Sequence, residues 1–133
     1  MTPCGLAAEL PMLLAEAGPY WVGIDAATVA RVQRPEPGSP PADCDLDRLL
    51  GAERGRPVSR LLVVNDGQRT AVVGVSSTLD NRPVPSARLQ PVPAVIRAAG
   101  APPWWVGVAW LDGRLLLLID LIMAAETATS PSG

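Results

Sequence analysis

Two Asp-Gly dipeptides, Asp66-Gly67 and Asp112-Gly113, each sit between two apolar runs. A tight hairpin of type I′ needs positive φ at both central residues, and Asp-Gly adopts that conformation at little steric cost. The flanking runs are strand material: residues 61–64 (LLVV) and 71–75 (AVVGV) around the first, 105–111 (WVGVAWL) and 114–121 (RLLLLIDL) around the second. Two such units predict an all-β fold. Residues 115–119 have no polar face, so both faces of that strand must be covered.

Proline sets the rest of the pattern. Fifteen Pro and twelve Gly make up more than a fifth of the 133 residues. Each Pro removes a donor and fixes φ, which disfavours long helices. Upstream, residues 10–17 (LPMLLAEA), the Gly18-Pro19 punctuation and residues 20–24 (YWVGI) predict a third hairpin. Residues 28–32 (TVARV) alternate like a half-buried strand. Residues 33–45 hold four prolines and predict a connection without a regular ladder. After it, DLDRLLG reads as a turn or two of helix, with Asp45 as its N-cap and Gly51 closing it. Residues 80–103 carry six prolines and predict an extended segment followed by a short helical turn. Residues 127–133 are expected to be a disordered tail. A chain of this length forms one domain with a core of its own.

The residue inventory excludes much chemistry. There is no His and no Lys. Ser-His-Asp and Cys-His constellations, Schiff-base chemistry and the phosphate-binding GxxxxGK[ST] loop are therefore impossible. Cys4 and Cys44 read as free thiols in a reducing compartment, since two thiols without His make neither a disulfide framework nor a good zinc site. Asp43, Asp45 and Asp47 could form a hard-cation loop, but they lack the further ligands of an EF-hand and read better as a solvated turn and helix cap. No cofactor is expected. The net charge of −2 gives no field for nucleic acid or an anionic membrane surface. No apolar stretch approaches the ~20 residues of a spanning helix. A soluble cytoplasmic protein is expected.

Arg54, Arg56 and Arg60 form a small basic run that reads as a solvated loop. The four Trp residues, 21, 104, 105 and 110, carry more information, because Trp is costly to expose and is enriched in interface hot spots. Trp104-Trp105 at a strand start would place its rings on opposite faces, one of them in the core.

In this order, these pieces resemble the CheW-like domain. That family includes the coupling protein of bacterial chemotaxis arrays and the regulatory domain of the chemotaxis histidine kinase. The specific match is residues 105–121 (WVGVAWLDGRLLLLIDL), with a short helix expected at 122–126. Residues 60–64, 66–67 and 71–75 resemble the family's other hairpin. Leu79 and the Leu89-Gln90-Pro91-Val92-Pro93 stretch resemble the strand and connection after it. The likeness spans residues 10–126 and is denser after residue 60.

The resemblance implies two small SH3-like β-barrel subdomains in one domain, a degenerate first one at 10–52 and a second at 58–126. The first is incomplete, because CDLDRLLG stands where the family has an extra hairpin with an N-L-R-G turn. It also implies a non-enzymatic adaptor that couples a chemoreceptor's cytoplasmic tip to the regulatory domain of a CheA-type histidine kinase at receptor arrays. Val73, Val75, Leu79, Val84 and Leu89 are the expected kinase or coupler contacts. Val29, Arg31 and Val32 are the expected remnant of the receptor groove. Two alternatives stay open: a partial mimic that binds only kinase or coupler, and a homo-oligomer that covers the open barrel by self-assembly.

Overall fold

The computed structural model describes residues 9–17, 20–39, 41–51 and 57–129; the side chains of Thr78, Leu79 and Thr129 are outside the description. Its strands are β1 (Glu9–Ala17), β2 (Tyr20–Asp25), β3 (Val29–Gln33), β4 (Cys44–Asp45), β5 (Arg60–Asn65), β6 (Thr70–Val75), β7 (Ser77–Pro85), β8 (Leu89–Gln90), β9 (Trp105–Leu111) and β10 (Arg114–Ile119). Three short helices are α1 (Leu46–Leu49), α2 (Ala94–Ala98) and α3 (Leu121–Thr129). The fold is all-β, as the turn chemistry predicts. Among the described residues, no helix is long and apolar enough to cross a membrane.

The strands form two sheets, one in the order β7-β1-β2-β10-β9-β8 and one in the order β3-β5-β6-β4. Sheet membership cuts across the expected division at residues 52–58. The first two strands leave the first half of the chain and join β7 to β10, while the middle of the chain builds the smaller sheet alone. The link is β2 against β10, parallel, with Trp21 opposite Leu116 and Gly23 opposite Leu118. The incomplete subdomain is the four-stranded one. Its β4 has only two residues, and the described residues in front of it, 34–39 and 41–43, form no strand.

Both faces of the central strands are buried, which accounts for their lack of a polar face. Leu13, Ala15 and Ala17 of β1, Val22 and Ile24 of β2, and Leu117 and Ile119 of β10 face a core shared with the smaller sheet and α3. Met12, Leu14, Trp21, Leu116 and Leu118 face a second core with Val84, Ala109 and Leu111. With half-buried Leu89, that second core draws on all six strands, so the larger sheet curls around it. Of the all-apolar run at 115–119, only Leu115 emerges, 47% exposed.

The two Asp-Gly turns differ. Asp112 (φ 53°) and Gly113 (φ 73°) both have positive φ, and Leu111 pairs with Arg114 across a two-residue loop. That is the expected geometry. The first loop is longer, closing at Asn65 opposite Thr70, and only Gly67 in it has positive φ. There the Asp66 side chain organises a wider turn. Its Oδ1 accepts from the backbone N–H groups of Gln68 (2.9 Å) and Arg69 (2.8 Å), and Asn65 Oδ1 accepts from Gly67 N–H (2.6 Å). Those bonds hold the Asp66 carboxyl below its ordinary pKa.

The N-terminal hairpin forms as expected, with Ala17 opposite Tyr20; its Gly18-Pro19 tip lies outside the described residues. Asp45 caps α1 by accepting from Asp47 N–H (3.0 Å), and Gly51, at φ 95°, follows the helix end. The final helix is longer than expected and includes Thr127, so the expected tail at 127–133 is corrected; residues 130–133 lie outside the description.

Candidate interaction site

The third strand, β3, is the edge of the smaller sheet. It pairs with β5 on one side, Val32 opposite Leu62 and Gln33 opposite Leu61. Its burial pattern is open, with Ala30, Arg31 and Val32 exposed and Val32 at 44%. An edge strand presents unpaired backbone donors and acceptors to a partner. Beside it runs a groove of about 370 Å³ at the junction of the two sheets. Val29, Ala30, Arg31 and Val32 line one wall, Pro11 and Leu13 of β1 and Asn81 of β7 the other, with Ala26 at the end. Here Asp25 holds the turn into β3: its Oδ1 accepts from Ala27 N–H (2.9 Å), and its carbonyl accepts from the Thr28 hydroxyl (2.7 Å). The structure thus brings Val29, Arg31 and Val32 together on one accessible surface.

The other expected contact set does not share a surface. Val73 and Val75 are fully buried in the core between the sheets, and Val84 is fully buried in the second core. The structure does not bring these three to a common surface, since their side chains are packed inside the chain. Alternation along a strand marks one face but not what covers it, and here both faces are covered. Leu89 is half-buried on β8, at the edge of the larger sheet. The Leu79 side chain lies outside the described residues.

The acidic segment is structural. Asp43 pairs with β6 like a strand residue: its N–H donates to Val72 O (2.6 Å) and its Oδ2 accepts from Val72 N–H (2.8 Å). Asp47 is 1% exposed, so the expected solvated turn is corrected at that residue. Its Oδ1 accepts from the Ser76 hydroxyl (3.1 Å), tying α1 to the end of β6. Among the described residues no cluster of three or more His, Cys, Asp or Glu could hold a metal ion. Burial, with Asp43 and Asp45 adding like charge, pushes the Cys44 thiol up to about 12, so it stays protonated and unreactive at neutral pH. Cys4, Arg54 and Arg56 lie outside the described residues, while Arg60 donates to Ser59 O (2.7 Å).

The Trp residues divide three ways. Trp21 and Trp104 are buried. Trp105 is half-buried and meets Trp104 edge-on, with ring centroids 6.4 Å apart. The exposed one is Trp110, at 59%, opposite Leu115 on the β9–β10 hairpin. Sequence reasoning singled out the Trp104-Trp105 pair but left open which Trp is exposed. The alternation of β9 could have pointed to Trp110, since Ala109 and Leu111 on either side of it face inward.

No protein-family model matches this sequence, and no curated protein matches it. The structure is similar to the crystal structure of the scaffolding protein TtCheW from Thermoanaerobacter tengcongensis. The TM-score is 0.66 at 17% identity, over 88% of this chain and 92% of that one. At that coverage the similarity takes in most of the chain, and the protein has the CheW-like fold.

Proposed function

We propose that the protein is a non-enzymatic scaffold that couples a chemoreceptor to the regulatory domain of a CheA-type histidine kinase. The observation that carries this reading is the groove between the two sheets, open along the free edge of β3 and lined by Val29, Arg31 and Val32. An apolar segment with an acidic flank suits it: Val32 offers contact area, Arg31 offers charge, and the β3 backbone can extend the sheet. The CheW-like fold supports the reading, as does a sequence without His or Lys, from which most general-base and nucleophile-activating arrangements are missing. The kinase side falls to the other end of the larger sheet, where Leu89 has surface to offer. Such a scaffold works in the cytoplasm, at receptor arrays.

The test is capture of purified protein by the kinase regulatory domain and by the receptor signalling tip, separately and together. Coupling predicts that both are held at once. Val32→Asp and Arg31→Glu then abolish receptor capture and leave kinase capture intact. Unchanged receptor capture by both variants would remove the groove from the argument.

The shortened smaller sheet favours a second reading. With a two-residue β4 and no strand among the described residues of 34–43, the protein can engage the kinase without bridging to the receptor, and so insulate it. Capture of the kinase alone supports that insulating role.

A further inference from the structure

A larger gap lies over β2, β9 and β10 of the six-stranded sheet and shares no lining residue with the groove. It measures about 490 Å³, within the range of small-molecule sites. Val108 of β9 with Leu115 and Leu117 of β10 make the floor, and Tyr20 and Trp21 of β2 make one wall. The roof is α2, through Ile96, with Val92 before it.

Two observations mark the gap as built rather than accidental. The roof helix buries none of its residues. Arg97 pins it instead, donating to Pro102 O (2.7 Å) and Trp105 O (2.6 Å). A five-residue helix held by hydrogen bonds above an apolar floor leaves room beneath it.

The second observation is chemical. Apart from the Tyr20 hydroxyl, which can also accept, the polar side-chain groups at the gap are donors. The Arg114 guanidinium lies 4.5 Å from the Trp21 ring centroid and has no carboxylate partner among the described residues. The indole Nε1–H groups of Trp21 and Trp105, both lining residues, are buried without an acceptor. No Asp or Glu lines the gap. Buried donors without partners are rare in folded proteins and point to an acceptor that arrives from outside. An apolar floor, a cationic rim and unpaired N–H groups complement one kind of molecule.

We propose that this gap binds a small amphipathic anion, an aliphatic or aromatic carboxylate, with its chain under α2 and its carboxylate at Arg114. This goes beyond the coupling role and does not depend on it. Binding would fix α2 against β9 and β10.

Titration calorimetry of the purified full chain with sodium octanoate tests this, with 1-octanol as the neutral analogue. The expected result is saturable one-to-one binding of octanoate, quenching of Trp fluorescence, and binding of octanol weaker by about tenfold or more. Arg114→Gln should remove that preference for the anion. Ile96→Glu, an exposed change that places a carboxylate on the roof, should abolish octanoate binding. Circular dichroism of both variants would confirm that they fold. Octanol binding as tight as octanoate would overturn the anion assignment. No saturable binding, or unchanged binding in both variants, would overturn the site. A dimer in sedimentation that octanoate does not disperse would give the gap to a second copy, and overturn the proposal too.

Discussion

The core inside the six-stranded sheet is made of strand residues, among them Met12, Leu14, Trp21, Leu116 and Leu118. The core behind the four-stranded sheet is different. Beside Leu62, Val64, Val73 and Val75 it takes Leu46 and Leu50 from the α1 segment and Leu121, Ile122, Ala124 and Ala125 from α3. One sheet is long enough to curl around its own side chains. The other has a two-residue fourth strand and is filled by helices. Apolar burial is not directional, so a missing strand can be replaced by any element that brings apolar side chains to the same space. What helices do not replace is the ladder, and β3 keeps an open edge.

That contrast can be broken first at Leu46, which is fully buried. Leu46→Ala should cost about 3 kcal/mol, the usual scale for a large-to-small core change, with Leu116→Ala in the other core as the matched control. Urea unfolding reads both. A cost near zero for Leu46 alone would show that α1 is not needed to fill the smaller sheet. Asp47→Ala comes next, at about 2 kcal/mol, because it empties a buried site and removes the shorter of the two hydrogen bonds of the half-buried Ser76 hydroxyl. If Asp47→Ala is neutral, the tie between α1 and β6 is dispensable.

The larger sheet is sharpened at its hairpin. Gly113→Ala places a Cβ on a backbone at φ 73° and should cost roughly 1 kcal/mol by thermal unfolding. An equal loss for Gln68→Ala, in the wider β5–β6 turn, would mean that the I′ geometry is not the source.

The smallest effect at neutral pH is that of Cys44, which shows only as a slope at high pH. Folding raises the Cys44 pKa from 9.0 to about 12. Its stabilising contribution is therefore complete below pH 9.0 and declines as pH rises toward 12, because the unfolded thiol ionises first. Cys44→Ala should flatten that decline in urea midpoints; an unchanged slope would assign it to other groups.

Local chemistry was legible and long-range pairing was not. Asp112-Gly113 specifies its turn through the φ of two adjacent residues, and Asp45 caps α1 through a side chain two residues from its donor. The apolar run 115–119 announced two covered faces. Nothing in residues 20–24, however, says that they run parallel to β10, because that pairing is set by global packing. The same gap in information put Val73, Val75 and Val84 on the surface, since an apolar alternation reads alike whether a partner or the chain itself covers it. Asp47 was misplaced for the reverse reason: a short acidic repeat resembles a solvated cap until Ser76 arrives from another strand. The α2 gap had no signal beyond its aromatic residues, because an empty volume is a relation among distant segments.

The parallel contact between β2 and β10 also orders events on the ribosome. Strands β3 to β6 emerge consecutively and can pair as they appear, and the first hairpin can close at once. Its Trp21–Gly23 edge must then wait for the last strand before its apolar surface is covered. During that interval the nascent chain carries an open, sticky edge, which makes the late stage of synthesis the window in which a chaperone matters most. A chain stalled before Arg114 would keep that edge open to aggregation, whereas one stopped after Ile119 would have all ten described strands in hand.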